Sequence, residues 1–363
     1  MNEIKRHYNI PIFIPHLGCP FNCIFCDQKK ISSQHQAPGK AETIAIIEQH
    51  LSTIPADAEV EIAFFGGNFT SIPEKLQLEY LEVVNPYLRS GIIKSIRIST
   101  RPDCIDRDIL VFLRQWGVKT VELGVQSLSD KVLKASARGY KVEDVFKASR
   151  LIKEEQLKLG IQLMIGLPGD SFDLDQETTT LAISLKPDMV RIYPTLILTG
   201  TVLENMYLQG DYAPTELPEA IKIAMHMLLR FQEQGIEVIR MGLHPGEDLR
   251  SQGTIVAGPF HPSFGELVEQ EIFKEQAAFA ARKLIADYMP GRPINIYVNP
   301  RDISKLIGNR KSNISYLKKA LECDEIYIKK VDGNERNWVG VSFGELSQPV
   351  IIVDRPEFIR NYF

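Results

Sequence analysis

Three cysteines stand close together near the start of this 363-residue chain, in the segment Cys19-Pro20-Phe21-Asn22-Cys23-Ile24-Phe25-Cys26. Their CxxxCxxC spacing puts three thiols on one short loop, directly after an apolar run over residues 10–14. Grouped thiolates of this kind are typical ligands of zinc or of an iron-sulfur cluster. Either centre is usually completed by about four ligands, so a triplet leaves one coordination position open. The sequence therefore predicts a metal centre that can also bind a small molecule.

Two simpler interpretations of the cysteines stay open on these residues alone. A zinc site with three cysteines and one histidine could use His16 or His35. Unpaired cysteines are also common as small buried hydrophobic residues. The rest of the chain favours neither, because it carries further motifs in a defined order.

Five segments follow the cysteine loop: Phe65–Ser71 (FGGNFTS), Ser99–Asp103 (STRPD), Glu122–Ser127 (ELGVQS), Met164–Gly169 (MIGLPG) and Ile192–Thr195 (IYPT). Each is weak alone, but their order behind the triplet is specific. With Phe25 before the last cysteine, the chain resembles the radical S-adenosylmethionine (SAM) superfamily. Residues from about Pro15 to Val268 most resemble the radical-SAM half of the Elongator catalytic subunit, a tRNA-modifying enzyme.

The resemblance implies one 4Fe-4S cluster bound by Cys19, Cys23 and Cys26, with SAM chelating the iron that no cysteine binds. One electron from the cluster would break the sulfonium bond and give a 5′-deoxyadenosyl radical, which removes hydrogen from a poorly activated carbon. A one-electron donor such as flavodoxin or ferredoxin is an implied partner. In such enzymes the cofactor carries out the chemistry, while the protein positions it and excludes water.

The resemblance also implies six cofactor-binding residues, which are Phe25, Gly66, Gly67, Ser99, Gln126 and Arg138. Gly66 and Gly67 end an apolar run where a ligand can approach the backbone, and the resemblance places the methionine amino group there. Ser99 and Gln126 match ribose-contacting positions, although the porphyrin-precursor oxidases use glutamate where this chain has Ser99. Arg138 matches an arginine that pairs with the methionine carboxylate, which suits a bidentate guanidinium. A plain turn and a solvated arginine are the simpler alternatives.

Short apolar runs alternate with amphipathic stretches, a pattern typical of a parallel sheet covered by helices. The predicted strands are Asn9–Ile14, Val60–Phe65, Ser95–Thr100, Thr120–Val125, Gly160–Ile165 and Met189–Tyr193. Apolar residues at helical spacing predict a helix over Glu216–Gln234. Six strand-helix units predict an α/β fold, a partial (β/α)6 TIM-like radical-SAM barrel with its motifs at the carboxyl ends of the strands.

Glycines and prolines punctuate the segment Val238–Pro262, which predicts a long loop. It contains Arg240, His244 and His261. Histidine is the commonest acid-base residue, but a role in proton transfer needs a demonstrated geometry, so neither histidine is assigned to the site.

The end of the chain is predicted to be a separate small α+β module. A helical run over Phe264–Tyr288 stops at the breaker cluster MPGRP, which predicts one domain over 1–288 and another over 289–363. The order of strand, helix, glycine loop, helix and strand after it resembles a KH RNA-binding module. The loop Gly308–Lys311 keeps the first glycine of the GxxG pattern and has lysine in place of the second. Gly308, Arg310 and Lys311 are the predicted RNA contacts.

Charge is segregated toward this module. Residues 292–336 contain ten basic and six acidic residues, whereas the whole chain has a net charge of −4. Phosphate attraction depends on local charge, so structured RNA is a predicted partner, although exposed lysines are ordinarily just solvated. Cys104 and Cys323 stand alone, which fits a reducing compartment. No targeting or membrane-spanning segment is apparent, and the predicted location is the cytoplasm.

The leading functional hypothesis is a radical-SAM enzyme that modifies a base in tRNA or rRNA. A second hypothesis is a radical-SAM enzyme acting on a small molecule such as a porphyrin precursor. A third is a non-catalytic, metal-stabilised RNA-binding protein. Fewer than about 100 residues follow the predicted barrel, too few for the acetyltransferase domain of the Elongator subunit, so acetyl-CoA chemistry is not implied.

Overall fold

The computed structural model describes residues 6–15, 17–34, 36–243, 246–286, 292–333 and 335–363. His16, His35 and His244 lie outside the described residues, as do 289–291 of the predicted domain boundary. The chain divides into two compact units, Met1–Leu217 with Ile236–Pro262 and Pro218–Gly235 with Ser263–Phe363.

The first unit is built on seven parallel strands whose spatial order follows their order in the chain. They are β1 (His7–Ile14), β2 (Glu59–Gly66), β3 (Ser95–Thr100), β4 (Val118–Gln126), β5 (Lys158–Ile165), β6 (Met189–Pro194) and β8 (Glu237–Met241). A short antiparallel pair joins β7 (Ile197–Leu198) to β9 (Ile255–Ala257). The sheet is a curled half-barrel, so the predicted α/β radical-SAM fold is confirmed.

Helices separate the strands of this unit. They are α1 (Gln28–Ser32), α2 (Lys40–Leu51), α3 (Glu74–Arg89), α4 (Arg107–Gln115), α5 (Asp130–Ala135), α6 (Val142–Glu154), α7 (Phe172–Ser184), α8 (Val202–Gln209) and α10 (Glu247–Arg250). Side chains alternate along β1, where Ile10, Ile12 and Ile14 are buried while Pro11 and Phe13 line a cavity. This period of two gives the sheet one apolar face and one face that can carry chemistry.

The strand count of six was wrong. Strand β8 includes the first four residues of the segment predicted to be a loop, Val238–Met241, and it pairs in parallel with β6 along the edge of the sheet. The short run Val238–Met241 contains two β-branched residues but is interrupted by Arg240 and followed by Gly242, so its composition resembles a loop. Pairing with a neighbouring strand, which the local sequence does not reveal, makes it a strand.

The second unit contains a four-stranded sheet with the order β11 (Ile326–Lys330), β10 (Ile294–Val298), β12 (Trp338–Phe343) and β13 (Ile351–Asp354). Its helices are α9 (Leu217–Glu233), α11 (Phe264–Ala286), α12 (Ile303–Ile307), α13 (Ser312–Ala320) and α14 (Arg355–Tyr362). Helix α11 packs on the sheet, where the buried Gln276 donates from Nε2 to the carbonyl of Val353 at 2.8 Å. The compact units therefore place α11 with the C-terminal sheet. A domain boundary at 288/289 stays a prediction.

Among the helices of the described residues, none is both long enough and apolar enough to cross a lipid bilayer.

Candidate active site

The cysteine loop is anchored by the apolar residues between its thiols. Ile24 and Phe25 are buried, in a cluster with Val132, Leu167 and Leu203. The Ile24 carbonyl accepts from the backbone N–H of Leu203 at 2.9 Å. The loop ends at Asp27, whose carboxylate caps helix α1 by accepting from Lys30 N at 3.2 Å. A rigid backbone therefore fixes the positions from which the cysteines extend.

A cavity of about 530 Å³ opens on the concave face of the sheet. It is lined by all nine residues predicted for the cluster and cofactor, Cys19, Cys23, Phe25, Cys26, Gly66, Gly67, Ser99, Gln126 and Arg138. The structure thus brings together residues that are up to about 120 positions apart in the sequence. Their individual roles stay predictions.

The environment of the thiols bears on metal binding. Burial raises the pKa of Cys26 to about 12, and burial also raises the pKa of Cys19. Because iron binds thiolates, cluster binding has to release protons from this loop. Across the described ranges, no three His, Cys, Asp or Glu side chains are arranged around a single ion position. A four-iron cluster does not require such convergence, because each cysteine binds a different iron.

The turn after β2 is shaped by close backbone contacts. Gly66 has φ of +95°, a left-handed conformation that favours glycine. Gly67 donates from its N–H to the Ile14 carbonyl at 2.6 Å. A Cβ on Gly67 would overlap the Leu17 carbonyl oxygen and lie 2.7 Å from that of Ile14. Only glycine fits here, so the backbone forms a cradle beside the cysteine loop.

Gln126 carries two features that indicate a ligand. Its φ of +66° is an unusual conformation for a residue other than glycine, and such strain concentrates at functional sites. Its side chain is buried, yet Oε1 has no hydrogen-bond partner among the described residues. An unsatisfied buried acceptor costs about 1–3 kcal/mol, so a donor from a bound molecule would offset this cost. A ribose hydroxyl, the contact implied by the resemblance, is such a donor.

The Arg138 guanidinium donates three hydrogen bonds, one of them to the cysteine loop. Its Nη1 donates to the Cys23 sulfur at 2.9 Å, Nη2 to the Gly124 carbonyl at 2.6 Å and Nε to the Tyr140 hydroxyl at 3.1 Å. Tyr140 is buried and donates in turn to the carbonyl of Gly124 or Val125, at 2.7 and 2.8 Å. The guanidinium is therefore oriented by its surroundings before any ligand binds. Its predicted pairing with a methionine carboxylate stays a prediction.

Arg101 and Tyr140 support the cysteine loop through contacts with Arg138, and neither was assigned from the sequence. Arg101 forms a bidentate ion pair with Asp103, at 2.9 and 3.0 Å, and also donates to the backbone carbonyl of Arg138. The ring of Phe21 stacks on this guanidinium at 5.0 Å. Arg101 belongs to the STRPD segment, which was recognised as a motif without a role for its arginine.

A second group of charged residues lies on the inward-facing strand positions. Arg97 bonds Glu61 at 2.7 Å and Glu122 at 2.5 Å, and Arg191 bonds Glu122 at 2.8 and 3.1 Å. Glu122 and Arg191 line the cavity together with Arg240. The sequence does contain a trace of this network, because charged residues interrupt otherwise apolar strands.

The predicted RNA contacts lie on the loop between α12 and α13. Gly308 has φ of +75°, and the exposed residues Arg310 and Lys311 follow with φ of +50° and +64°. A Cβ on Gly308 would come within 2.7 Å of the side chains of Ser312 and Asn313. The order of strand, helix, loop, helix and strand over residues 294–330 matches the predicted order. RNA contact itself stays a prediction.

The matches to known proteins agree with this geometry. Residues 13–180 match the model of the Radical SAM superfamily, and residues 187–274 match the Radical_SAM C-terminal domain. The chain is 37% identical over 154 residues to a tRNA uridine(34) acetyltransferase of Methanocaldococcus infernus, covering 41% of this chain and 28% of that protein. It is 30% identical over 244 residues to an uncharacterised protein of Methanocaldococcus jannaschii, covering 62% of this chain and 72% of that protein.

A solved structure is also similar. The archaeal Elp3 of Methanocaldococcus infernus with an N-terminal deletion superposes with a TM-score of 0.60 and 26% sequence identity, over 75% of this chain and 64% of that chain. The chain therefore spans only part of the acetyltransferase relatives that it matches. On the evidence of sequence, fold and site together, the chain belongs to the radical SAM superfamily and is an enzyme of a family that uses a 4Fe-4S cluster and SAM.

Proposed function

We propose that this enzyme starts from reductive cleavage of SAM and modifies a base in tRNA. The observation that carries the proposal is the convergence of the cysteine loop, the Gly66-Gly67 cradle, Gln126 and Arg138 on one cavity. The tRNA substrate is supported by the relatives that are tRNA uridine(34) acetyltransferases and by the basic loop at residues 308–311. We do not extend the proposal to acetyl transfer, because the chain spans only 28% of the acetyltransferase relative.

Each residue group has a distinct role in this proposal. Cys19, Cys23 and Cys26 would bind the cluster, which with SAM supplies a carbon-centred radical able to remove a hydrogen atom from the substrate. Gly67 lets the turn after β2 pack against the backbone before the cysteine loop, and the free Oε1 of Gln126 accepts a hydroxyl hydrogen bond. Arg138 orients Cys23 through the bond to its sulfur. The rings of Phe13 and Phe65, 5.9 Å apart, form an apolar wall that helps to exclude water.

The test of cofactor chemistry compares two cysteine variants. Anaerobically reconstituted protein with dithionite should convert SAM to 5′-deoxyadenosine and methionine, whereas Cys23→Ala should not. The control is Cys323→Ala, which removes a buried thiol of the second unit and should keep full turnover. Equal turnover by Cys23→Ala and the wild type would exclude the assignment. One zinc and no iron or sulfide after anaerobic purification would instead favour a non-catalytic binding protein.

The test of the substrate is the nucleoside profile of tRNA. Mass spectrometry should show that tRNA from a deletion strain lacks one modified nucleoside that wild-type tRNA contains. A plasmid copy of the gene should restore that nucleoside. If all nucleosides are unchanged and a porphyrin precursor or another metabolite accumulates, the RNA substrate is wrong and the small-molecule alternative replaces it. We also propose a flavodoxin or ferredoxin as electron donor and the cytoplasm as the location.

A further inference from the structure

Arg240 lines the cavity and has no carboxylate partner among the side chains that the structure describes. It lies on β8 and is partly buried, and its Nε donates to the carbonyl of Gly242 at 3.2 Å. Within the part of the chain that the structure describes, no Asp or Glu lies within ion-pair distance of its guanidinium. The two Nη groups are therefore available to a ligand in the cavity.

The other arginines that line the cavity all have partners. Arg101 pairs with Asp103, Arg191 pairs with Glu122, and Arg138 bonds the Cys23 sulfur. Glu122 pairs instead with the two neighbouring arginines, since its oxygens accept from Arg97 at 2.5 Å and from Arg191 at 2.8 and 3.1 Å. Among the described side chains of the cavity wall formed by β6 and β8, Arg240 is thus the arginine whose positive charge no carboxylate compensates.

A β-bulge places this charge on the cavity face. Val190 pairs with Val238, but the next residue, Arg191, pairs with Arg240, so Ile239 is the extra residue on β8. Without the bulge, Ile239 would stand opposite Arg191 and Arg240 would point to the other face. Bulges commonly re-aim a side chain beside an active site. Here the bulge sets two arginines side by side, an arrangement that repels unless an anion lies between or beside them.

We propose that Arg240 binds an oxyanion of the substrate and thereby determines substrate specificity. A guanidinium with free Nη groups donates to phosphate or carboxylate in the same bidentate geometry. The assignment rests on the proposed function, because it requires this cavity to be the active site. For a nucleotide substrate the oxyanion is a phosphate of the nucleotide that enters the cavity. For a small-molecule substrate it is a carboxylate.

The experiment measures anion binding to reconstituted holoenzyme by equilibrium dialysis. The probes are the four ribonucleoside 5′-monophosphates, the matching nucleosides, and the carboxylates acetate and succinate. At least one monophosphate should bind about tenfold or more tightly than its nucleoside, since a charge-assisted bidentate contact has this strength. Arg240→Gln should abolish this preference, and Arg240→Lys should retain part of it. The control Arg150→Gln removes an exposed arginine of α6 and should keep the whole preference.

The outcomes separate the possible results. Preference for succinate or acetate, lost in Arg240→Gln, supports an oxyanion site for a small-molecule substrate. The inference is wrong if Arg240→Gln binds every anion as the wild type does, or if the wild type prefers no anion. If circular dichroism shows that Arg240→Gln does not fold, the test uses Arg240→Lys and the control Arg150→Gln. The inference is then wrong if Arg240→Lys keeps the same anion preference as the control. Formation of 5′-deoxyadenosine by the wild type is scored separately, so the proposed function can stand while this inference fails.

Discussion

At the residue scale, the glycine turn after β2 is defined by how closely the backbone of the cysteine loop approaches it. We predict that Gly67→Ala lowers the free energy of unfolding by about 1–3 kcal/mol, the usual cost of inserting a methyl group into a filled space. The added Cβ would overlap the Leu17 carbonyl, so the loop that carries the cysteines must also move. SAM binding should therefore be lost together with stability. Urea unfolding and equilibrium dialysis with labelled SAM measure the two effects.

The matched control for this change is Gly333→Ala. No atom of the described residues lies within 4 Å of a Cβ built on Gly333, so the same chemical change should leave both stability and SAM binding close to the wild type. Wild-type SAM binding by Gly67→Ala would show that the cradle does not hold the cofactor.

Residues that line the cavity are easier to identify from the sequence than residues that support them. Cys19, Gly66 and Gln126 are each recognisable because a motif fixes their local position. Arg101 and Tyr140 act through contacts with Arg138. Local spacing in the sequence does not reveal such a contact when the two partners are distant in the chain. The free Oε1 of Gln126 and its positive φ are likewise properties of the folded chain alone.

At the scale of elements, the turn between β5 and α7 contains a pair of neighbouring carboxyl groups, of which Asp175 is buried and Asp170 is half-buried. Burial and the neighbouring Asp170 raise the pKa of Asp175 to about 9, and burial also raises the pKa of Asp170. Asp170 accepts from the backbone N–H of Gly166 at 3.1 Å and of Ser171 at 2.9 Å. A protonated Asp175 donates to Asp170 and so completes this network. The fold therefore favours the protonated form of Asp175 in this turn.

This arrangement predicts a pH-dependent stability. The folded pKa of Asp175 exceeds the unfolded value of about 3.9, so its stabilising effect is present below about pH 4 and is lost as the pH rises toward 9. In Asp175→Asn the amide keeps the donor without titrating, so the fall in unfolding free energy between pH 5 and pH 8 should become shallower. The difference cannot exceed about 1.4 kcal/mol per pH unit, since one proton is involved. Urea unfolding at several pH values measures it.

The control is Asp173→Asn, an exposed carboxylate on the first turn of the same helix. Its profile should run parallel to that of the wild type. If Asp175→Asn also runs parallel to the wild type, Asp175 is ionised in the folded protein and the proposed donor is wrong.

Strand prediction succeeded where apolar and β-branched residues recur over a short run. Ser95–Thr100 was predicted with the bounds that the structure shows, and the other predicted strands of the first sheet differ by one or two residues at their ends. Strand β8 was missed because it is a short edge strand whose inward face carries Arg240. Its bulge against β6 is a property of pairing, which neither period nor composition encodes.

At the scale of the whole molecule, charge separates the two ends of the chain. The net charge is −4, yet residues 292–336 carry ten basic and six acidic residues, so the remaining residues carry −8. A polyanion is therefore attracted by one segment and repelled by most of the chain. Within this segment, Arg310 and Lys311 are exposed and follow each other in left-handed backbone conformation on the loop between α12 and α13.

This distribution predicts the salt dependence of tRNA binding. The double variant Arg310→Gln/Lys311→Gln should bind tRNA more weakly, and the slope of log affinity against log salt should become shallower by about 0.7–0.9 for each phosphate contact removed. The control variant Lys119→Gln/Lys158→Gln removes the same charge from exposed positions on β4 and β5 and should leave the slope unchanged. Filter binding between 50 and 300 mM salt gives both slopes. Equal changes in the two double variants would mean that only net charge matters, and the loop at residues 308–311 would lose its assignment as the RNA contact.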